Sequence, residues 1–130
     1  LCASQWHKTL TYKDDFFTDG MTYDADFTKE FGYAPPYQAA ESSAALLVFK
    51  DAFERANSFD KVKVRDALAD TNMQTFYGNI KFAAGGQNVD KPMVLFQVMC
   101  DGDKCENKDV APNKWASAEL IHPIPSWSQR

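Results

Sequence analysis

Hydrophobic residues along this chain follow two periods, and the period changes once. From residue 22 to about residue 70 the spacing is that of helices, and from about residue 75 onward it is that of strands. Tyr23, Phe27 and Phe31 recur at every fourth position and make one aromatic stripe. Thr22 stands in the capping position. Asp24 and Asp26 follow in the first turns, where the helix dipole favours negative charge, and Gly32 is a natural stop. The pattern predicts a helix over 22–31 with its stripe in the core.

Pro35 and Pro36 forbid continuation of that helix and open a second one, from Pro36 to Ala56. Its first half is almost all Ala and Ser, so its backbone can lie close to another element. Ala40, Ala44, Leu47 and Val48 share a face, Phe49 and Phe53 sit one turn apart, and Asn57-Ser58 ends the run. Asp60 then caps a third helix over 61–70, with Val64, Ala67 and Leu68 turned inward.

After Asp70-Thr71-Asn72, Thr75 to Phe82 alternates and reads as one short strand. Gly85-Gly86-Gln87-Asn88 is a turn. Met93 to Met99 is a near-continuous apolar run, which suits a strand buried on both faces. A weaker strand or coil follows residue 105, and Ala116 to His122 forms a last short element. Residues 1–20 show no clean period beyond a short strand near Leu10 to Tyr12. Three helices followed by strands make an α/β chain. A doubly wound protein normally alternates the two, so most strands that such helices would cover are missing. The chain therefore reads as a single partial domain, residues 1–130, of something larger. Its opening Leu1-Cys2-Ala3-Ser4, with no Met, basic region or apolar leader core, reads as a processed or truncated start.

Composition narrows the function classes. With 45% hydrophobic and 25% charged residues in 130, the chain is globular and sized for one domain. A net charge of −4 argues against a nucleic-acid surface and against binding to anionic membranes. No apolar run approaches the roughly 18 residues of a membrane span. Of the three cysteines, Cys100 and Cys105 flank the tight turn Asp101-Gly102-Asp103-Lys104. They are either a disulfide, the reading adopted for an oxidising compartment, or two free thiols at a hairpin end. Cys2 is left over.

No catalytic constellation stands out. Asp101, Asp103 and Glu106 suggest a calcium loop, but its sixth position needs Gly and holds Glu106. Gly85-Gly86 opens no helix, so it is no phosphate loop. There is no nucleophile elbow, and His122 sits among prolines. His7, near Asp14 and Asp15, lacks a spaced second His for a metal site. Cys2 or Cys105 paired with His7 as a nucleophile is a formal option with weak support. The expectation is no enzyme, no cofactor and no metal.

Several stretches together resemble one family. Y-D-A-D-F-T-K-E-F-G-Y-A-P-P-Y-Q-A-A, from Tyr23, is similar to the C-terminal part of type I periplasmic solute-binding proteins. These are the branched-chain amino-acid-binding proteins of ABC importers. The likeness continues through V-R-D-A-L (Val64 to Leu68), T-F-Y-G-N-I-K-F (Thr75 to Phe82) and G-Q-N-V-D-K-P-M-V (Gly86 to Val94). It ends in A-E-L-I-H-P-I-P-S-W, Ala118 to Trp127. The resemblance implies two α/β lobes joined by a hinge and closing on a small solute, without chemistry on that solute. It implies delivery to ABC permease subunits and a periplasmic or extracellular, membrane-tethered location. It further implies that this chain covers the last third, mainly the returning part of the first lobe with the closing strand and tail. Most of the ligand cleft then lies upstream.

Two residues carry site expectations. In the family an aromatic residue just before the Ala-rich helix lies at the cleft, and Tyr37 occupies that place. Its flat ring and hydroxyl suit ligand contact, while packing over the Pro-Pro turn is the plain structural alternative. Trp6 resembles an aromatic residue that follows the crossing between lobes. It is either a wall near the hinge or a core Trp, and the core reading weighs slightly more. The reading is a binding component for an amino acid or similar small organic solute. The competing class is a ligand-sensing or protein-interaction module on the same fold, and adjacent permease and ATPase genes would separate the two. A hydrolase-like enzyme is a third class, disfavoured by the missing nucleophile motif. Incompleteness predicts exposed helix faces and self-association.

Overall fold

The structure is a computed structural model that describes residues 1–126; Trp127, the last residue of the final family-like stretch, lies outside the described residues. The elements run β1 (Cys2–Ser4), β2 (Lys13–Asp14), β3 (Thr18–Asp19), α1 (Gly20–Phe31), α2 (Tyr37–Ala56), α3 (Lys61–Ala69), β4 (Asn72–Thr75), β5 (Gly78–Lys81), β6 (Val94–Asp101) and β7 (Lys104–Ala111). The strands form a three-stranded antiparallel sheet in the order β1-β6-β7 and two hairpins, β2-β3 and β4-β5.

The three helices fall where the helical period places them, with shifted starts for α1 and α2. α1 begins at Gly20, and its cap is Asp19 rather than Thr22. The Asp19 carboxylate accepts a 2.9 Å hydrogen bond from the Thr22 amide, and those donor contacts hold its pKa below the usual carboxylate value. Gly20 is required there, because a Cβ would stand 2.9 Å from the Lys8 carbonyl oxygen. Gly32 closes α1 in the left-handed conformation, as expected. α2 begins at Tyr37, with Pro36 as its extended flanking residue. Asp60 caps α3 through the amides of Val62 and Lys63.

The strand region differs more. Thr75 to Phe82 is not one strand: Phe76 and Tyr77 form the turn of the β4-β5 hairpin. Gly78, at φ 137°, takes a backbone conformation that side chains disfavour and lets the chain reverse there. The Asp14 carboxylate holds this turn, accepting from the amides of Phe16, Phe17 and Phe76 at 2.9, 2.7 and 2.6 Å. β6 is buried near its start, at Val94 and Gln97, but not on both faces, since Val98 is exposed in the β6-β7 hairpin. Buried Gln97 is satisfied by the backbone of Ile121, donating to its carbonyl at 3.1 Å and accepting from its amide at 3.0 Å. Residues 104–111 make a full strand instead of coil. Leu10 to Tyr12 forms no strand, and residues 116–122 form no helix or strand. The latter stretch is instead held by its turn bonds, as Ser117 and Ala118 donate to the Asp109 carbonyl. Cys100 and Cys105 face each other across the hairpin and are joined by a disulfide, while Cys2 is free and exposed.

The core lies between α1, α2 and the β4-β5 hairpin. Phe76 stacks on Tyr23 at 4.3 Å, and Trp6 and Phe17 meet both rings edge-on. Ala40, Ala44 and Val48 on α2 pack into this cluster, and Ala52 is buried further along the same stripe. The α1 stripe is core at Tyr23, half-buried at Phe27 and exposed at Phe31, whose ring meets those of Phe27 and Tyr33 at a tilt. Among the described residues, no helix is long and apolar enough to cross a membrane.

Candidate functional site

A cavity of about 730 Å³ lies beside α2. One wall is the α2 face carrying Glu41, Ala44, Ala45, Val48 and Phe49, of which Ala44 and Val48 belong to the small-residue face read from the sequence. Leu68 of α3 and Ile80 of β5 close the apolar side, with Phe82 and Met93 beyond them. Gln5, Tyr77 and Lys91 make the polar end. The cavity is therefore mostly hydrophobic with a few convergent polar groups, the usual makeup of a small-molecule site.

Lys91 is the centre of the polar end. Its side chain lies across Gly78, where an added Cβ would come within 3.0 Å of its Cδ. The Nζ donates to the carbonyl oxygens of Gln5 and, at 3.2 Å, Pro92, and sits 4.2 Å from the centre of the Tyr77 ring. The Tyr77 hydroxyl in turn donates to Gln5 Oε1 at 2.9 Å. Burial lowers the Lys91 pKa from 10.5 to about 8, against the opposing attraction of Glu41. The Tyr77 phenol is pushed well above its ordinary value, first by burial and then by the charges of Glu41 and Tyr37. The loop bearing Lys91 is pinned by Asn88, whose Oδ1 accepts from the amides of Lys81 and Asp90 at 3.1 and 3.3 Å.

Tyr37 stands at the first position of α2, partly exposed, one turn before Glu41 on the same helix. It does not line this cavity, although its charge is felt at Tyr77. Trp6 lies in the core at 4% exposure and does not line the cavity; its Nε1 has no hydrogen-bond partner. Lys91, Glu41, Gln5 and Tyr77 were not singled out by sequence reasoning. Tyr77 and Lys91 fall inside the family-like stretches T-F-Y-G-N-I-K-F and G-Q-N-V-D-K-P-M-V, but nothing in their spacing marks them.

A second polar cluster lies away from the cavity. Asp109 is fully buried, and its carboxylate pairs with His7 Nδ1 at 2.5 Å and accepts from the Thr9 hydroxyl. Its backbone amide donates to Ser117 Oγ at 3.1 Å. Among the described residues no group of His, Cys, Asp and Glu could hold a metal ion.

The architecture is that of part of a type I periplasmic binding protein fold. The solved structure that carries this likeness is the leucine-binding protein LivK from Thermotoga maritima, with a TM-score of 0.62 and 20% sequence identity. The match covers 82% of this chain and 29% of that protein, so the chain spans less than a third of its length. No protein-family model matches the chain.

Proposed function

We propose that this chain is the C-terminal part of the substrate-binding component of an ABC importer. In this reading it captures an amino acid or similar small organic solute outside the cytoplasm, without chemistry, and delivers it to permease subunits. The observation that carries it is the shared fold with a leucine-binding protein over 82% of the chain. The family-like stretches from Tyr23 to Trp127 support it independently. The cavity adds a third strand of support: an apolar wall with a cation, Lys91, and an anion, Glu41, suits a small amphiphilic solute. Tyr37, at the start of α2, is assigned to ligand contact, and Trp6, in the core, to packing.

The test is a thermal-shift screen of the native full-length protein against amino acids and organic acids, followed by calorimetry on any hit. A ligand at 100 times its Kd should raise unfolding free energy by about 2.7 kcal/mol. A Tyr37→Ala variant should weaken that ligand about tenfold while leaving the unliganded melting temperature in place. Absence of any stabilising small solute, with a protein partner captured instead, would replace this reading with the sensing-module one.

A further inference from the structure

Lys91 has chemistry that solute capture does not use. Its Nζ satisfies two backbone carbonyls, Gln5 and Pro92, and rests against the Tyr77 ring at the polar end of the 730 Å³ cavity. A neutral amine has two N–H groups, enough to keep both carbonyls bonded. Deprotonation therefore leaves no acceptor unsatisfied, and the fourth position on nitrogen becomes a lone pair. The surrounding groups that bear charge or titrate are Glu41 from α2, Tyr77 from the hairpin turn, Tyr37 through its effect on Tyr77, and Asp90 as chain neighbour.

We propose that Lys91 is a modification site: a nucleophilic amine that condenses, inside this cavity, with small aldehydes carrying an apolar tail. The Nζ lone pair attacks the carbonyl carbon, and the carbonyl π pair moves to oxygen and takes a proton. The carbinolamine then loses that oxygen as water together with the remaining N–H proton, leaving an imine. No oxidant or reductant enters this step. Glu41 lines the same cavity and supplies a carboxylate for the proton transfers. The apolar wall of Ala44, Val48, Ile80 and Phe82 accepts the tail. Burial of the ammonium form agrees with this chemistry, because a lysine with pKa about 8 is far more often neutral near pH 7.5 than an ordinary one.

The probe is pentanal with cyanoborohydride, which fixes the imine as a secondary amine, followed by peptide mass mapping across the eleven lysines. The neutral fraction at pH 7.5 is raised on the order of 200-fold, partly offset by weaker basicity. Lys91 should therefore be alkylated on the order of tenfold faster than exposed Lys50 or Lys104. The preference should follow a midpoint near pH 8 and vanish in urea. Labelling of Lys91 no faster than Lys50, or a preference that persists in urea, overturns the proposal. Neither result depends on which solute the protein carries.

Discussion

At the scale of single residues, Lys91 carries the clearest pH signature. Well below pH 8 the folded and unfolded chains both hold its proton. From about pH 8 to 10.5 the unfolded chain holds more of it, so stability rises with pH. Tyr77 acts in the opposite sense above about pH 10, where the unfolded phenol ionises first. Relative to Lys91→Met, the wild-type protein should therefore gain stability between pH 8 and 10. Urea midpoints of the pair at pH 7.5 and 9.5 measure this, and a constant difference would show that the amine is not buried in its charged form. Such residues were not legible beforehand. Lys91 is one lysine of eleven in sequence, and its environment comes from Gln5, 86 positions away, and from the turn residue Tyr77. Asp109 was equally hidden, because its partners His7 and Thr9 lie about a hundred positions upstream.

At the scale of elements, the sequence was informative where local rules decide. All three helices and the Gly32 and Asp60 signals are present because capping and period need only neighbouring residues. The miss at Thr22 has the same origin. Asp19 offers the stronger acceptor three residues before Thr22, and Gly20 fits beneath the Lys8 carbonyl, which no local rule could reveal. The reading of 75–82 as one strand failed because Phe76 alternates correctly with its neighbours while its amide is claimed by Asp14. The Cys100–Cys105 disulfide closes a very short loop at the tip of the β6-β7 hairpin. Its reduction should cost about 2 kcal/mol. A melting curve with and without reductant checks the magnitude, and amide exchange should rise first at residues 100–105. An unchanged curve would mean that the hairpin tip melts independently of the core.

At the scale of the whole molecule, the aromatic load is unevenly covered. Phe53, about 38% exposed, packs with Phe49 at the rim of the cavity and meets Phe59, which is 90% exposed, at 5.5 Å. Leu46 of α2 and Val62 of α3 are also exposed. The sequence foretold exposed helix faces from the missing strands, and the structure presents one. Sedimentation velocity over a tenfold range of micromolar concentration should show reversible self-association of this chain, weakened in Phe53→Asp/Phe59→Asp. A concentration-independent monomer would contradict it.

The pairing of β1 with β6 brings Cys2–Ser4 against Val94–Phe96. β1 precedes β6, its partner among the described strands, by some ninety residues. The helices and the β4-β5 hairpin can form in the meantime from nearby residues, but the sheet cannot. Until β6 arrives, residues 2–4 lack the strand they pair with in this sheet. A ribosome stalled near residue 90 should therefore hold a nascent chain that protease still cuts near residues 2–4, while its helical middle is already protected.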